Sequence, residues 1–507
     1  MDALVVDLTH GGVTIAIKLA KLDYFNNIYV FDLYKTLKNH DKERLLNYDI
    51  IIIKDIGELN GNNQDELLIS YPIHSPIKPD EIRKKTKHSK GPNLTHHKTV
   101  ELILKQWKKR MMEEKIPIIE VTGVKGKTTT VSLLKSVLKD YNSLTLTSLG
   151  ATLDLDNKNI LLKKNISITP ASILETIDLV EKTDNCECSI SSLTTKNKKL
   201  NPKSVSKNLD YKIAIFESSL GTSGIGDIGI LTNIIENYKI AKNTLNAKIA
   251  KEQIFDNEYV VIDYDTMIKF YPEKIRDKIN SFKLKDYNLY DNNEINPNTD
   301  IKPNLIANKV KYDLENSKIE IEYENIKTIN GNELNGELNV KTHLLGEYNV
   351  LNVLGGVTTA LTLEIDEEKI KEGLKNFNPV EGRGSIRLKE NIKIIEEINP
   401  GLNIKAIEKV ISSIKDLKKY SIILGGKYGV TCEEINETDL SKLLDKIIDE
   451  NYCDLTLVDE LGKSLKNKMK NKVKFFEDHI EAQGIAIEKG KDILLIYRSN
   501  YTQRDKR

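Results

Sequence analysis

The chain of 507 residues is 39% hydrophobic and 30% charged, a balance typical of globular proteins rather than of membrane-spanning or fibrous ones. Lysine and arginine (76) nearly equal aspartate and glutamate (75), so the net charge of +1 disfavours a dedicated nucleic-acid-binding protein. At about 100–200 residues per domain, the length predicts two to four domains.

Nothing in the sequence predicts export or membrane insertion. No apolar run approaches the length of about 18 residues that a transmembrane helix needs. Residues 1–7 carry acids, whereas a signal peptide begins with basic residues. The four cysteines are too few for a disulfide framework, and we interpret Cys186 and Cys188 as structural rather than metal-binding. We therefore expect a cytoplasmic protein without membrane contact.

The N-terminal part of the chain alternates strand and helix, which indicates a Rossmann-like sheet. Ala3–Val6 predicts a strand, a glycine turn follows, residues 13–21 have helical spacing, and Ile28–Asp32 predicts a second strand. Asp49–Lys54 is nearly all apolar, as expected of a strand that is covered on both faces.

Two further α/β units follow in the sequence. Residues 76–92 predict a surface loop, residues 96–112 a linking helix, and Ile116–Val121 a strand that opens the second unit. Residues 284–340 predict hairpins or an insertion. Strands of the third unit are predicted at residues 392–395, 421–424 and 492–496. The expected domains are residues 1–112, 113–380 and 381–507.

The strongest motif is a glycine-rich loop between a predicted strand and an amphipathic helix; it consists of Thr122, Gly123, Val124, Lys125, Gly126, Lys127, Thr128 and Thr129. The glycines let backbone N–H groups approach phosphate oxygens, and the helix N-terminus favours the same anion. Lys127 would reach the β- and γ-phosphates of a nucleotide, and the Thr128 hydroxyl would ligate Mg²⁺. The loop is shorter than the full Walker pattern, because Val121 stands where that pattern has its first glycine.

This loop resembles that of the Mur ligase family, whose members phosphorylate a carboxylate with ATP so that a nucleophile can displace the phosphate. Further family-like motifs follow in the same order, at Ile215–Ser219, Leu231–Asn233, Ala250–Phe255, Gly346–Asn352 and Glu381–Arg383. The resemblance covers about residues 116–507. It implies an α/β protein of three domains: a Rossmann-like N-terminal domain, a central P-loop ATPase domain and a Rossmann-like C-terminal domain.

The resemblance also assigns roles to individual residues. Glu217 is implied to bind Mg²⁺ with Thr128, and Asn349 and Arg383 are implied to contact the nucleotide. Lys251 is implied to be carbamylated, which would turn a cation into an anionic metal ligand; the alternative is an unmodified Lys251 that pairs with phosphate. Lys127, Glu217 and Lys251 form the implied catalytic set, and ATP and Mg²⁺ are the implied cofactors.

Three motifs depart from the family pattern. Asn237-Tyr238 stands in place of an Asp-His pair, which removes or replaces one Mg²⁺ ligand, and Tyr348 stands in place of a histidine. The signature with which amino-acid-adding members commonly take their second substrate is shortened to Glu396–Gly401. These departures imply a different second substrate, or none.

Three stretches, Asp7–Gly12, Ser167–Ala171 and Gly425–Glu434, resemble the methanogen branch of the family that completes a nickel tetrapyrrole. In that branch ATP activates the propionate of an open nickel macrocycle, and a ring carbon then attacks the acyl phosphate to close a carbocycle. The resemblance implies ATP and the tetrapyrrole as partners, with nickel present only as part of the substrate. For the oligomeric state, both a monomer and a homodimer stay open.

The N-terminal domain is expected to bind the macrocycle, and the candidate residues, one of them from the C-terminal domain, are His10, Gly11, Gly12, His74, His96, His97 and Tyr428. Histidine can hydrogen-bond a carboxylate, act as a general base or approach nickel, although helix caps and structural hydrogen bonds explain the same histidines equally well. The basic run Arg83–Lys85 either attracts the polyanion or is merely solvated.

Two other functions stay open. The first is a peptide ligase of the pseudomurein type, or less readily a folylpolyglutamate-type ligase, and either would need a pocket for a separate substrate. The second is a non-catalytic protein whose domains close when a nucleotide binds. The intact Gly126-Lys127-Thr128 motif and Glu217 argue against the second function, since devices for both phosphate and metal are retained.

Overall fold

The computed structural model describes residues 1–59, 65–156, 158–164, 166–185, 211–240, 245–290, 301–312, 316–344, 346–399, 402, 404–412, 414, 416–428, 435–451 and 453–499. Their strands form sheets of five, eleven and six strands and one two-stranded ladder. Among these residues, no helix combines the length and the apolarity that a membrane crossing requires.

The first sheet is parallel throughout, with strand order β3-β2-β1-β4-β5. Its strands are β1 Asp2–Val6, β2 Ile28–Phe31, β3 Ile51–Ile53, β4 Leu67–Tyr71 and β5 Asn93–Thr95. Its helices are α1 Gly12–Ala20, α2 Asn39–Leu46, α3 Pro79–Thr86 and α4 His96–Glu113. The strand order reverses between β1 and β4, which makes the carboxyl ends of these two strands a topological switch point, the usual ligand position in such sheets.

Two expectations for this sheet were wrong. The strand at Ile51–Ile53 is an edge strand with Ile51 41% exposed, so it is not covered on both faces. Residues 76–92 are not only a loop, because they contain the helix Pro79–Thr86. The signals for that helix are Pro79 in its first turn and charges that match the helix dipole, with acids at its start and the basic run Arg83–Lys85 at its end.

The second sheet has the order β18-β17-β16-β15-β14-β11-β6-β10-β7-β8-β9. Its strands are β6 Ile118–Thr122, β7 Ser143–Thr147, β8 Gly150–Leu155, β9 Lys158–Lys164, β10 Ile213–Glu217, β11 Ile228–Leu231, β14 Tyr259–Asp263, β15 Ile279–Leu284, β16 Leu305–Tyr312, β17 Ser317–Lys327 and β18 Glu333–Thr342. The strands from β7 to β16 are parallel, and both ends of the sheet are antiparallel. The predicted hairpins within residues 284–340 are therefore present, and they extend this sheet.

The helices around this sheet are α5 Lys127–Val137, α6 Pro170–Asn185, α7 Ala247–Lys251, α8 Tyr264–Phe270, α9 Glu347–Thr362 and α10 Glu367–Lys375. A separate two-stranded ladder pairs β12 Lys239–Ile240 with β13 Leu245–Asn246. The predicted helix after the glycine-rich loop is α5; it packs with α9 on the core, where a Cβ atom at Gly356 would lie 2.3 Å from Leu133 Cδ2.

The third sheet has the order β19-β20-β24-β21-β22-β23 and is parallel except for the β19–β20 hairpin. Its strands are β19 Arg383–Lys389, β20 Ile392–Asn399, β21 Tyr420–Gly426, β22 Asp454–Val458, β23 Lys474–Phe476 and β24 Asp492–Arg498. Its helices are α11 Ile404–Ser412, α12 Glu437–Asn451, α13 Asp459–Lys466 and α14 His479–Glu488. We propose that the domain boundaries lie at residues 113 and 381. This proposal is supported because each of the three large sheets lies within one of the expected domains.

A buried carboxylate on the central strand fixes the loop that follows β10. Glu120 is fully buried and accepts hydrogen bonds from Ser223 N at 2.8 Å, Ser223 Oγ at 2.7 Å, Gly224 N at 2.9 Å and Gly226 N at 3.2 Å. Burial raises its pKa, and the four hydrogen bonds lower it only in part. Glu120 thus holds the chain between Glu217 and β11 against the sheet.

We predict that Glu120→Gln destabilises the protein by about 2–4 kcal/mol, because an amide NH₂ group would then face backbone N–H donors in a buried position. Urea unfolding followed through Trp107 fluorescence measures this change. The exposed Glu324→Gln is the matched control and should stay within about 0.5 kcal/mol of wild type. Equal stabilities of the two variants would contradict the assigned role of Glu120.

Candidate active site

The glycine-rich loop lies between β6 and α5, in the middle of the eleven-stranded sheet. Gly123 and Gly126 have positive φ angles of 148° and 86°, a backbone conformation that favours glycine. A Cβ atom at Gly123 would lie 1.9 Å from Thr232 Oγ1, and one at Gly126 would lie 2.0 Å from Asn352 Oδ1. Both positions therefore require glycine, and the loop leads directly into a helix N-terminus.

The Lys127 ammonium group bends back over this loop. It donates hydrogen bonds to the carbonyl oxygens of Gly123 at 3.0 Å and Val124 at 3.5 Å. Lys127 is the first residue of α5, whose free N–H groups and dipole favour an anion. A cation and a helix N-terminus in one place suit the phosphates of a nucleotide.

Thr128 and Glu217 meet beside the loop. Thr128 Oγ1 lies 3.0 Å from each carboxylate oxygen of Glu217, and both side chains are buried. Ser148, which the sequence analysis missed, adds a hydroxyl 3.0 Å from Thr128 Oγ1 and donates its backbone N–H to Glu217 Oε2 at 3.0 Å. A carboxylate and two hydroxyls are the hard oxygen donors that Mg²⁺ prefers, so these residues fit the magnesium ion implied by the motif.

Lys251 lies beside the loop that follows Glu217. It is 1% exposed and ends α7, which packs so closely that a Cβ atom at Gly221 would lie 2.3 Å from Ala250 O. Asn237, from the altered Asp-His motif, accepts a hydrogen bond from the backbone of this helix at Lys248 N, 2.8 Å away. The departure at residue 237 therefore positions the helix that carries Lys251.

An ion pair connects the loop to the third sheet. Lys125 Nζ lies 3.3 Å from Glu397 Oε2 and 5.0 Å from the centre of the Tyr348 ring. Asn233 Nδ2 donates to Tyr348 OH and to Lys125 O, each at 3.1 Å. Burial raises the pKa of Tyr348 well above its usual value, so its hydroxyl stays protonated. Tyr348 thus replaces the family histidine with a neutral group that holds the loop.

Asn349 and Arg383 lie at the same junction. Asn349 Oδ1 accepts a hydrogen bond from Asn352 Nδ2 at 3.3 Å, and Asn352 lies against Gly126 of the loop. On the other side, a Cβ atom at Gly384 would lie 2.9 Å from Asn349 Nδ2. Arg383 is the residue before Gly384 and begins β19. The structure therefore brings both predicted nucleotide contacts to the boundary between the loop and the third sheet.

The four candidate histidines lie at the carboxyl edge of the five-stranded sheet. His10 follows β1, His74 follows β4, and His96 and His97 follow β5. His10 Nδ1 lies 2.5 Å from Asp7 Oδ2 and 3.3 Å from His74 Nε2. Asp7 was missed as a site residue, although an aspartate and a histidine three residues apart directly after a strand are a usable signal.

Burial keeps three of these histidines neutral. It lowers the pKa of His74 to about 4, of His96 to about 3 and of His97 to about 4. At neutral pH each ring therefore carries one N–H group and one lone pair. A neutral imidazole can bind a metal ion or accept a proton, which a protonated one cannot do.

Gly11 brings the first sheet close to the second unit, and Gly12 closes the turn after β1. Gly11 has a φ angle of 89°, and a Cβ atom there would lie 2.3 Å from Ala171 Cβ and 3.4 Å from Thr169 Oγ1. A Cβ atom at Gly12 would lie 2.1 Å from Asp7 O. The motifs at residues 7–12 and 167–171, which were read separately in the sequence, therefore pack against each other.

A series of direct contacts leads from the phosphate loop to the histidines. Ser219, two residues after Glu217, donates its backbone N–H to Ile168 O at 2.9 Å. The carbonyl oxygen of Ser219 lies 3.2 Å from His97 Nε2. His97 in turn interacts electrostatically with Lys251 and His74. The histidines at the edge of the first sheet and the candidate magnesium ligands Thr128 and Glu217 thus belong to one connected region.

Tyr428 is held elsewhere, within the C-terminal sheet and its helices. Its backbone N–H donates to Glu460 Oε2 at 2.8 Å, and its hydroxyl donates to Glu437. No hydrogen bond found among the described residues brings it to the loop or the histidines. Residues 429–434 of its motif, residues 400 and 401, and the pair Cys186 and Cys188 lie outside the described part of the chain.

Within the basic run Arg83–Lys85, Arg83 has a structural role. The Arg83 guanidinium donates to Lys90 O at 2.8 Å, to Gly91 O at 2.7 Å and to Asn93 Oδ1 at 2.6 Å. Arg83 therefore fixes the chain that leads into β5 and is not available as a freely exposed anion-binding group.

Two protein-family models match the chain. The Mur ligase middle domain matches residues 121–360, and the C-terminal domain of coenzyme F430 synthetase CfbE matches residues 386–500. This match identifies residues 121–360 as a middle domain of the Mur ligase family. Members of this family are ATP-dependent ligases for which Mg²⁺ is the typical metal ion, which agrees with the oxygen donors around Thr128.

Two curated relatives are similar to the chain over most of its length. Coenzyme F(430) synthetase of Methanocaldococcus jannaschii is 28% identical over 469 residues, which is 92% of each chain. Coenzyme F(430) synthetase of Methanosarcina acetivorans is 28% identical over 465 residues, which is 87% of each chain.

Solved structures confirm the predicted three-domain architecture. A pseudomurein peptide ligase type C from Methanothermus fervidus has a TM-score of 0.52 at 16% identity, with 100% of this chain and 98% of that chain covered. The MurF ligase of Thermotoga maritima in complex with ADP has a TM-score of 0.50 at 12% identity, with coverage of 90% and 97%. At these identities the likeness shows the fold of the chain and not its substrate.

We predict that Ser148→Ala raises the Mg²⁺ concentration needed for tight ADP binding by about 10-fold to 100-fold, because Ser148 orients Thr128. Calorimetric titration of ADP at several Mg²⁺ concentrations measures the change. Ser136→Ala is the control, since Ser136 lies near the C-terminal end of α5, away from Thr128, and its Oγ donates to Gly373 O. An unchanged Mg²⁺ requirement in Ser148→Ala would refute the role given to Ser148.

The buried histidines predict acid sensitivity of the first domain. The pKa of His96 is about 3 in the folded chain against 6.5 when unfolded, so between these values the unfolded chain binds the proton and stability falls as the pH falls. At pH 5.5 this costs about 1.4 kcal/mol. His96→Phe should remove this part of the stability loss between neutral pH and pH 5.5, because phenylalanine does not titrate.

Urea unfolding at pH 7.5 and pH 5.5, followed by the fluorescence of Trp107, checks this prediction. Trp107 is the single tryptophan of the chain and lies in the helix that begins at His96. His40→Phe is the control, because the His40 side chain is 79% exposed. The same loss of stability in wild type and in His96→Phe would show that His96 does not stay neutral.

Proposed function

We propose that this protein acts as a Mur ligase in coenzyme F430 biosynthesis, where it activates the propionate of a nickel seco-tetrapyrrole as an acyl phosphate and closes a carbocyclic ring. The observation that carries the proposal is the similarity to relatives named coenzyme F(430) synthetase over 92% and 87% of the chain. The C-terminal match to that enzyme's domain begins at residue 386 and includes the shortened motif Glu396–Gly401.

In the first step an oxygen of the propionate attacks the γ-phosphorus of ATP, the bond to ADP breaks, and an acyl phosphate forms. The loop N–H groups and Lys127 would stabilise the negative charge of the transferred phosphoryl group, which the position of Lys127 over the loop at the start of α5 supports. A magnesium ion held by Thr128 and Glu217 would supply further charge neutralisation at the phosphates. Lys251, as a carbamate, would be a further anionic ligand.

In the second step a nucleophilic ring carbon attacks the activated carbonyl carbon. The bond between that carbon and the phosphate oxygen breaks, phosphate leaves, and the ring carbon loses its proton. Both reacting groups belong to one molecule, so the protein's contribution is to hold them together in a reactive geometry. Glu397 and Glu396 support this view, because they are engaged within the protein by Lys125 and Arg387 rather than arranged for a separate amine.

We assign macrocycle binding to the carboxyl edge of the first sheet, with His10, Gly11, Gly12, His74, His96 and His97 as its residues. Two properties support the assignment. The edge lies at a topological switch point, the usual ligand position in such sheets. It is also connected to the magnesium candidates through Ser219 and Ile168. Tyr428 remains a proposed contact from the C-terminal domain, and the nickel enters with the substrate.

Incubation with Mg-ATP and the nickel seco-acid tests the proposal. The product mass should fall by one water relative to the seco-acid, and ADP should form in the same amount as product. Lys127→Ala should lower kcat by about 10³-fold or more, since it removes charge stabilisation of the transferred phosphoryl group. The exposed Lys109→Ala is the matched control and should behave as wild type.

Formation of ADP only after an amino acid is added would contradict ring closure and would identify a peptide ligase instead. Tight ATP binding without any turnover stimulated by the seco-acid would identify a nucleotide-gated binding protein. Near-normal activity of Lys127→Ala would contradict the assignment of the phosphate loop.

A further inference from the structure

Three potential metal ligands converge at the carboxyl edge of the five-stranded sheet. Asp7 follows β1 and His74 follows β4, the two strands between which the strand order reverses, and His10 lies three residues after Asp7. One donor atom from each of the three residues lies within 4.8 Å of the other two. Asp7 is fully buried and His10 and His74 are partly buried, so the group is built into the fold.

Hydrogen bonding within this group does not satisfy the His74 ring. His10 Nδ1 lies 2.5 Å from Asp7 Oδ2 and 3.3 Å from His74 Nε2. If His10 Nδ1 carries a proton shared by both neighbours, the proton of a neutral His74 is on Nδ1, which is buried and has no partner among the described residues. If His10 Nδ1 carries a lone pair, that lone pair faces the carboxylate. A cation at the centre would be stabilised by all three lone pairs.

A second observation points to the same place. His96 is 1% exposed, and neither of its ring nitrogens has a hydrogen-bond partner in the described part of the chain. It interacts electrostatically with Asp7, His10 and His74. A buried imidazole without partners is energetically costly, and such a cost is typical of a site that is completed by a ligand.

The donor types and spacing identify the class of ion. Two imidazoles and one carboxylate suit Zn²⁺, Co²⁺, Ni²⁺ or Fe²⁺ and not Mg²⁺, which prefers oxygen ligands. Metal–nitrogen bonds of about 2.0 Å in a tetrahedron place two nitrogens about 3.3 Å apart, and His10 Nδ1 and His74 Nε2 are separated by that distance.

The nickel of a tetrapyrrole does not explain this arrangement. Its ring nitrogens occupy the equatorial positions, so one face of the macrocycle accepts a single axial ligand and not three converging ones. We propose that Asp7, His10 and His74 bind a free divalent transition-metal ion, with Zn²⁺ as the model ion. Three protein ligands leave a fourth position open. Where the proposed function holds, a carboxylate of the macrocycle would occupy this open position on the metal ion.

The test uses the metal alone, without ATP or macrocycle, so its failure is distinguishable from failure of the proposed ligase activity. Chelator-treated protein is equilibrated with Zn²⁺ in excess Mg²⁺, which occupies the site at Thr128. Bound zinc is then measured by mass spectrometry after gel filtration. We expect about one Zn²⁺ per chain, and about 100-fold weaker binding in His10→Ala and His74→Ala. His40→Ala, at an exposed histidine, is the matched control and should bind as wild type does.

A substitution that keeps a ligand separates metal binding from loss of folding. His10→Cys loaded with Co²⁺ should show a near-ultraviolet thiolate-to-cobalt charge-transfer band that wild-type protein lacks. Absence of this band, absence of stoichiometric zinc in wild type, or equal zinc affinity in wild type and in both alanine variants would each overturn the proposal.

Discussion

The contact between Thr128 and Glu217 is the constraint on which the rest of the site depends. It follows from strand register: β10 pairs with β6 so that Glu217 lies opposite Val121, immediately before the glycine-rich loop. The carboxylate is therefore delivered to the loop by the sheet itself, in a buried position where a lone negative charge is costly. A bound cation would neutralise this buried charge, and the oxygen donors of Thr128 and Ser148 make the position suitable for a hard cation such as Mg²⁺.

The other two sheets reach the same region by their carboxyl edges. The third sheet contributes Glu397, which pairs with Lys125 of the loop, and the first sheet contributes His97, which contacts Ser219 just beyond Glu217. A region built from three sheets is sensitive to their relative positions, so domain closure and chemistry are coupled in such an enzyme. The net charge of +1 fits this arrangement, since a few local cations rather than a basic face meet the anionic ligands.

The sequence predicted those parts of the site whose chemistry is local along the chain. The loop at residues 122–129 could be recognised because a strand, glycines, a lysine and a helix start are contiguous. Ser148 and Asp7 were missed because only sheet order and register bring them to their partners. The helix at Pro79–Thr86 was missed for a different reason: its composition is polar, and the nearby prolines are typical of a turn. It forms a helix nonetheless because its charges match the helix dipole.

The central claim is that the carboxylate of the macrocycle is itself phosphorylated before the ring closes. The most direct test uses nickel seco-acid in which both carboxylate oxygens of the propionate are ¹⁸O. The released phosphate is then analysed by ³¹P NMR. Direct transfer predicts one ¹⁸O atom in each phosphate, because the acyl carbon–oxygen bond breaks when the ring carbon attacks. Product formation with unlabelled phosphate would contradict the account.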